Sequence, residues 1–297
     1  MNVPEVARAL AELQPTQPLF VGIDSDGCVF DTMEIKHKEC FIPNIINSWG
    51  LQSVSKYARE AGEFVNLYSQ WRGVNRWPAL VMVFDLLRER PEVQRRGVHI
   101  PESNSIRAFI ASGQPQSNDS LAQVAAETGD PELVQALAWS KAVNASIADM
   151  VHDVPPFPYV RESLALIQAH ADAIVVSQTP EEALVREWQE HGIDRYVRAI
   201  AGQERGTKTE HLRYASQGKY PDAKKLMIGD APGDLKAAQG NHAFFFPVNP
   251  GHEEESWERF YKEAFQRFLA GTYSGAYEQA LIADFQKALP SIPPWKR

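Results

Sequence analysis

The chain has 297 residues, 44% hydrophobic and 23% charged, which suits one large globular domain or two modest ones and excludes a disordered, collagen-like or rod-like chain. A formal net charge of -8 disfavours a nucleic-acid partner, because phosphate backbones need a basic face. Cys28 and Cys40 are too few for a disulfide framework, the first residues lack the apolar run of a signal peptide, and no stretch reaches the length of a membrane span, so a soluble, cytoplasmic protein with no membrane partner is expected.

The first strand candidate is Leu19–Ile23, an apolar run that stops abruptly at Asp24-Ser25-Asp26-Gly27. From Glu34 to about Met150 the patterns are helical, over residues 54–70, 77–90, 105–112, 120–127 and 131–150, with loops at 101–104 and 113–119. Ala79, Leu80, Val83, Phe84, Leu86 and Leu87 have the spacing of one helix face, and Trp49, Trp71, Trp77 and Trp139 read as the core of this helical region. After Pro155-Pro156-Phe157-Pro158 the texture changes to alternation. Helices over 160–170, 181–191, 207–217 and 233–239 interleave with strands over 173–176, 197–201, 226–228 and 243–247. Such alternation predicts right-handed crossovers and a parallel sheet with helices on both faces. Thr179-Pro180-Glu181-Glu182 supplies a cap, a proline at the first helical position and early acids, and Gly192 stands where that helix should end. The tail over 253–289 is helical in pattern, and its aromatic residues (Trp257, Phe260, Tyr261, Phe265, Phe268) either cover the core or meet a partner subunit.

The expected fold class is therefore α/β. A Rossmann-like parallel-sheet core is built from residues 1–32 and 151–297, with a C-terminal helical extension over 252–297. An enlarged all-helical cap, residues 33–150, is inserted after the first strand. Ligands of open parallel sheets bind beyond the carboxyl ends of the strands. Those ends carry Asp24 and Asp26, then Ser177-Gln178-Thr179, then Gly229-Asp230-Ala231, while Lys208 opens the helix over 207–217. Three carboxylates gathered there repel one another and need a cation to coexist. Oxygen ligands that include waters and a substrate phosphate suit Mg²⁺, and lysine and metal together neutralise phosphoryl oxygens as charge builds on them.

In order, DSDGCVFDT, VVSQTP, GTKTEHL and MIGDAPGDLKAA resemble the four motifs of the haloacid dehalogenase superfamily, over roughly residues 17–32 and 155–249. The resemblance implies a hydrolase of phosphoric monoesters. Asp24 takes the place of the aspartyl nucleophile and Asp26 that of the general acid and base. Asp24, Asp230, Asp234 and Asp26, the last through its backbone carbonyl, take the places of the magnesium ligands. Ser177, Lys208 and the neighbouring Gln178 take those of the phosphate-binding groups. Within the cap, Arg72-Gly73-Val74-Asn75-Arg76 resembles the substrate-facing loop of the family's sugar-phosphate mutases and phosphatases, which implicates Arg76 and Arg72. Two departures stand out: Ser25 occupies a place where the family more often has an apolar residue, and the cap is longer than usual.

The expected partner is a small phosphorylated metabolite. A phosphomutase using the same aspartyl-phosphate, or a non-catalytic binding protein on this fold, are the alternatives. A dehalogenase ranks below them because it does not need Asp26. The bland readings remain in view as well: Asp24 and Asp26 as strand-end turn residues, Thr179 as a helix cap, Asp234 as a helix-dipole acid, Arg72 and Arg76 as surface charges.

Overall fold

The computed structural model describes residues 4–296. Five short strands, β1 (Leu19–Ile23), β2 (Ala171–Val176), β3 (Ala199–Ala201), β4 (Lys225–Gly229) and β5 (Phe244–Pro247), form one parallel sheet in the order β3-β2-β1-β4-β5. β1, β2 and β4 are buried along their whole length, which is why they read as continuous apolar runs rather than as alternation. Alternate residues still sort to opposite faces. Val21, Ile23, Leu226, Ile228 and Phe246 join one core cluster, while Phe20, Ile174, Met227 and Phe245 join the other. Helices α1 (Val160–His170), α2 (Glu181–Glu190), α3 (Lys208–Ser216) and α4 (Pro232–Gly240) make the connections. The chain leaves the central strand β1 toward β2 and β3 on one side and returns to β4 and β5 on the other, so the strand order reverses beside β1.

The chain divides into two compact units, Met1–Thr32 with Asp153–Leu289 and Met33–His152 with Pro290–Arg297. In the first unit, a C-terminal extension with α5 (Glu253–Arg259) and α6 (Ala276–Ala288) follows β5. Trp257, Phe260, Phe265, Phe268 and Tyr273 are all fully or almost fully buried in the core cluster that holds Phe246, so this aromatic tail covers the sheet. It also closes the edge: Phe245 donates its N–H to the Glu278 carboxylate at 2.8 Å, and its carbonyl accepts from the Tyr273 hydroxyl at 2.7 Å. An edge strand whose outward groups are paired offers no template to another chain.

The second unit is all helical, with its longest helices over Ser55–Asn66, Arg76–Arg88, Asn118–Thr128 and Pro131–Met150. Trp77 and Trp139 are buried at its centre 5.9 Å apart, Trp49 packs on Trp139 and Phe84, and Trp71 lies against Phe64. The stretch after Thr32, for which the sequence gives no clear pattern, is helical too and includes a π-helical segment, Lys36–Phe41. The last eight residues differ from expectation by counting with this unit rather than with the core. The cause is local. The Trp295 ring packs 5.7 Å from Phe64 and 4.4 Å from the Arg90 guanidinium, Lys296 pairs with Glu89, and the Pro290 carbonyl accepts from the Gln70 N–H. No helix among the described residues is long and apolar enough to cross a membrane.

Asp172, at the start of β2, ties the amino ends of the sheet together. Its buried carboxylate accepts from Thr16 N–H (2.7 Å) and hydroxyl (2.5 Å), Gln17 N–H (3.0 Å), the Tyr220 hydroxyl (2.6 Å) and the Arg198 guanidinium (2.9 Å). Burial alone raises such a carboxyl, but the donors from Thr16, Tyr220 and Gln17 outweigh it and bring the group down to about 2. A carboxyl depressed on folding adds stability above its unfolded value and loses it as pH falls through the folded one, here a window from about 4 to about 2. Asp172→Asn is thus expected to cost roughly 2 kcal/mol in urea unfolding at neutral pH. The gap from the native protein should narrow as the pH is lowered through that window, and a pH-independent gap would contradict the linkage.

Candidate functional site

The carboxyl ends of β1 and β4 lie side by side, where the Asp24 N–H donates to the Ile228 carbonyl at 3.0 Å. Asp24 directly follows β1 and Asp230 directly follows β4, and α4 opens with Pro232 so that Asp234 falls in its first turn. These three aspartates are the one group among the described residues whose ligand atoms meet, all within 4.8 Å of one another and all buried. Asp234 plays two parts. One oxygen accepts from the Ala231 N–H at 3.0 Å and caps α4, while the other lies 2.7 Å from the Lys208 ammonium. Lys208 reaches Asp24 Oδ2 at 2.7 Å as well. Its position at the head of α3 is fixed by a reciprocal cap: the Thr207 hydroxyl accepts from the Glu210 N–H, and the Glu210 carboxylate accepts from the Thr207 N–H.

The electrostatics follow from burial. Burial and the Asp234 charge push the Asp24 carboxyl up to about 7, against the pull of Lys208 and the Ser25 N–H. Burial also raises Asp234, with Lys208 drawing it down and Asp230 pushing it up. Burial works against the Lys208 ammonium, yet Asp234, Asp24 and Asp230 hold it charged well above its ordinary range. With all groups ionised, three carboxylates and one ammonium leave the cluster two negative charges in excess. The donors are all oxygens and the deficit is two charges, so the residues fit a hard divalent cation.

Asp26 is not one of the three carboxylates of that cluster. Its carboxylate is held between two hydroxyls, Thr32 Oγ1 at 2.6 Å and Thr179 Oγ1 at 2.7 Å. This corrects the reading of Thr179 as a cap. Pro180 stands at the cap position of α2 with no side-chain bond, and the Thr179 hydroxyl serves Asp26 instead. Ser177 is buried just before it, with its N–H on the Ala201 carbonyl and its Oγ accepting from the Thr179 N–H at 3.2 Å, which leaves the hydroxyl hydrogen able to donate. The exposed Gln178 joins this loop to the one before α3, because its amide donates to the Gly206 carbonyl at 2.9 Å. Ser25, the departure from the family's pattern, proves to have a partner: Trp188 Nε1 donates to its Oγ at 3.0 Å.

Asp24, Asp26, Ser177, Gln178, Lys208, Asp230 and Asp234 thus all belong to the α/β unit, whereas Arg72 and Arg76 belong to the helical unit. Arg72 is buried, not a surface charge, and donates to the Leu67 carbonyl at the end of a helix. Arg76 is partly buried. It donates to Ser140 Oγ (2.6 Å) and Asn144 Oδ1 (2.8 Å), lies over the Phe41 ring, and has its guanidinium pKa lowered by burial.

No protein-family model matches the chain, and no curated protein does. Solved structures do. A haloacid dehalogenase-like family hydrolase from Streptococcus pneumoniae is 13% identical, with a TM-score of 0.45, over 92% of this chain and 100% of that one. A haloacid dehalogenase-like hydrolase from Xanthomonas campestris is 12% identical, with a TM-score of 0.42, over 86% and 97%. A HAD-superfamily hydrolase of subfamily IA from Geobacter sulfurreducens is 15% identical, with a TM-score of 0.40, over 79% and 90%. At these values the likeness assigns no activity, and the chemistry rests on the chain's own residues.

Gly229 is a residue whose importance the sequence does not announce. A Cβ there would lie 2.4 Å from both Cβ and Cγ of Asp234, so only glycine lets α4 bring that carboxylate onto the end of β4. Gly229→Ala is expected to destabilise the protein by about 1–3 kcal/mol through overpacking. Gly233→Ala, whose added carbon would meet nothing within 4 Å, should be neutral or slightly stabilising in the same thermal melts.

Proposed function

We propose that the chain is a magnesium-dependent phosphatase that hydrolyses a small phosphorylated metabolite through an aspartyl-phosphate. The observation that carries this reading is the Lys208 ammonium, 2.7 Å from both Asp24 and Asp234, set among three buried carboxylates beside an Asp26 clasped by two hydroxyls. With a divalent cation to offset its excess negative charge, such a cluster suits a phosphoryl group, with a nucleophile and a proton carrier two residues apart.

In the first half-reaction an Asp24 carboxylate oxygen attacks phosphorus and the bond from phosphorus to the ester oxygen breaks. Asp26 gives its proton to the departing oxygen. In the second, water attacks the aspartyl-phosphate as Asp26 takes back a proton, the bond to the Asp24 oxygen breaks, and inorganic phosphate leaves. Thr32 and Thr179 hold the Asp26 carboxylate in place for both transfers. Lys208 and the Ser177 hydroxyl bind phosphoryl oxygens, and the ammonium neutralises the charge that grows on them. Asp24, Asp230, Asp234 and the Asp26 carbonyl would hold Mg²⁺, which when bound supplies the remaining positive charge and a Lewis acid. The helical unit is, in this reading, the cap of the family it resembles, and Arg76 is a cap residue assigned to substrate. Arg72, whose guanidinium also donates to the Leu67 carbonyl, is assigned there with it.

Phosphate release from a panel of phosphorylated metabolites with Mg²⁺, and without any bisphosphate activator, tests the proposal and separates it from a mutase. Asp24→Asn should lower turnover by about 10³-fold or more while keeping the native circular dichroism. Excess chelator should stop the reaction, and added Mg²⁺ should restore it. Substantial turnover by Asp24→Asn or in chelator would exclude this mechanism.

A further inference from the structure

The segment from Asp24 to Phe30 carries both reactive aspartates yet belongs to no strand or helix, so individual hydrogen bonds fix its shape. The Ser25 carbonyl alone accepts from the N–H groups of Cys28 (3.2 Å), Val29 (2.8 Å) and Phe30 (3.3 Å). Two indoles add bonds from elsewhere in the same unit. Trp188, in α2, donates to Ser25 Oγ at 3.0 Å, and Trp257, in α5 of the C-terminal extension, donates to the Cys28 carbonyl at 2.7 Å. Ser25, Cys28, Trp188 and Trp257 are each 0% exposed, so no water competes for these bonds.

We propose that Trp188 and Trp257 form an indole clamp: positioning residues that set the loop between Asp24 and Phe30 and so aim the Asp24 carboxylate at phosphorus. The proposal rests on the phosphatase reading above and deepens it. In-line displacement tolerates little misplacement of the attacking atom, and an error of about 1 Å can cost about 100-fold in rate. An indole suits the task because its N–H direction is set by a ring that is itself wedged in the core. The Trp188 ring meets Phe30 edge to face at 6.2 Å, and the Trp257 ring meets Phe260 at 5.5 Å. The helix carrying Trp188 also follows the loop whose Thr179 bonds Asp26, so α2 and the loop before it reach the nucleophile loop at two points, Ser25 and Asp26. The second indole gives the extension a role beyond covering the sheet.

Trp188→Phe and Trp257→Phe keep a packed ring and remove the N–H, and Ser25→Ala removes an acceptor with little change in volume. Two readouts decide the matter: kcat and KM for phosphate release, and amide hydrogen exchange of Cys28, Val29 and Phe30 in the resting protein. Each variant is expected to lower kcat about tenfold with KM within about twofold, and to raise exchange at those amides about tenfold. Ser25→Ala combined with Trp188→Phe should be no worse in kcat than the more impaired single variant, since both remove one bond. Lower melting temperatures with unchanged kcat, or additive losses in the double variant, would reduce the indoles to fold stabilisers and overturn the clamp. If the native protein releases no phosphate from any ester, the phosphatase reading fails by itself. Exchange then judges the clamp alone, and unchanged protection of the three amides in all variants overturns it.

Discussion

The Lys208 ammonium sits 2.7 Å from Asp24 and 2.7 Å from Asp234, a single positive charge among three carboxylates that water scarcely reaches. Ionised groups are costly to bury unless paired, and here Asp24 and Asp234 share one ammonium beside Asp230. Burial first, and then the Asp234 charge, raise the Asp24 carboxyl to about 7, while the three carboxylates raise Lys208 too and so keep it charged. A fold does not keep such a cluster for stability, since apolar side chains of similar size would serve better. Its three carboxylates fit a divalent cation, and under the proposed function that cation and Lys208 together hold the phosphoryl group. Gly229, the cap of α4 and the reciprocal cap of α3 are all consequences, because each is needed to bring one charged group to the same point.

Stability is supplied elsewhere in the sheet. At the amino ends of the strands Asp172 is fully satisfied by donors from Thr16, Gln17, Tyr220 and Arg198. On the β5 flank, Glu278 and Tyr273 pair the outward N–H and carbonyl of Phe245. Both are sites where side chains pair backbone groups that would otherwise be open. The carboxyl edge is the contrast: there three buried carboxylates share the Lys208 ammonium. The same sheet therefore has one end tied by a neutralised carboxylate and one end with excess negative charge, and its strand order reverses beside β1 at that second end.

Much of this was legible in the sequence, for physical reasons. Asp24, Asp230 and Lys208 each stand where an apolar run stops or a helix begins, positions that parallel topology brings to one edge without further information. The strands themselves were visible as runs buried on both faces, and only their ends moved, β2 beginning at Ala171 rather than at 173. What was hidden depends on long-range partners. Thr179 looks like a helix cap until Asp26 is seen 2.7 Å away, because serine and threonine before a proline have the same local pattern in either role. Arg72 and Arg76 share a motif, yet one guanidinium turns inward to Leu67 and the other to Ser140, a choice made by helix packing. The docking of 290–296 on the helical unit hinges on Trp295 finding Phe64 and Arg90, a pairing more than two hundred residues long in one-dimensional terms.

Ser25 brings these threads together. A polar side chain in the middle of a buried turn is a defect unless it has a donor, and Trp188 supplies one from a helix more than 150 residues away. The pair works in both directions, because without Ser25 the indole N–H would itself be buried and unsatisfied. Two residues that are each unfavourable alone are therefore locked together, and what they lock is the backbone between two aspartates. A loop that must deliver a carboxylate to one point cannot rely on the non-directional packing that holds the rest of the core. It needs directional bonds anchored in rigid rings, and the two fully buried indoles that reach this turn are placed to provide them.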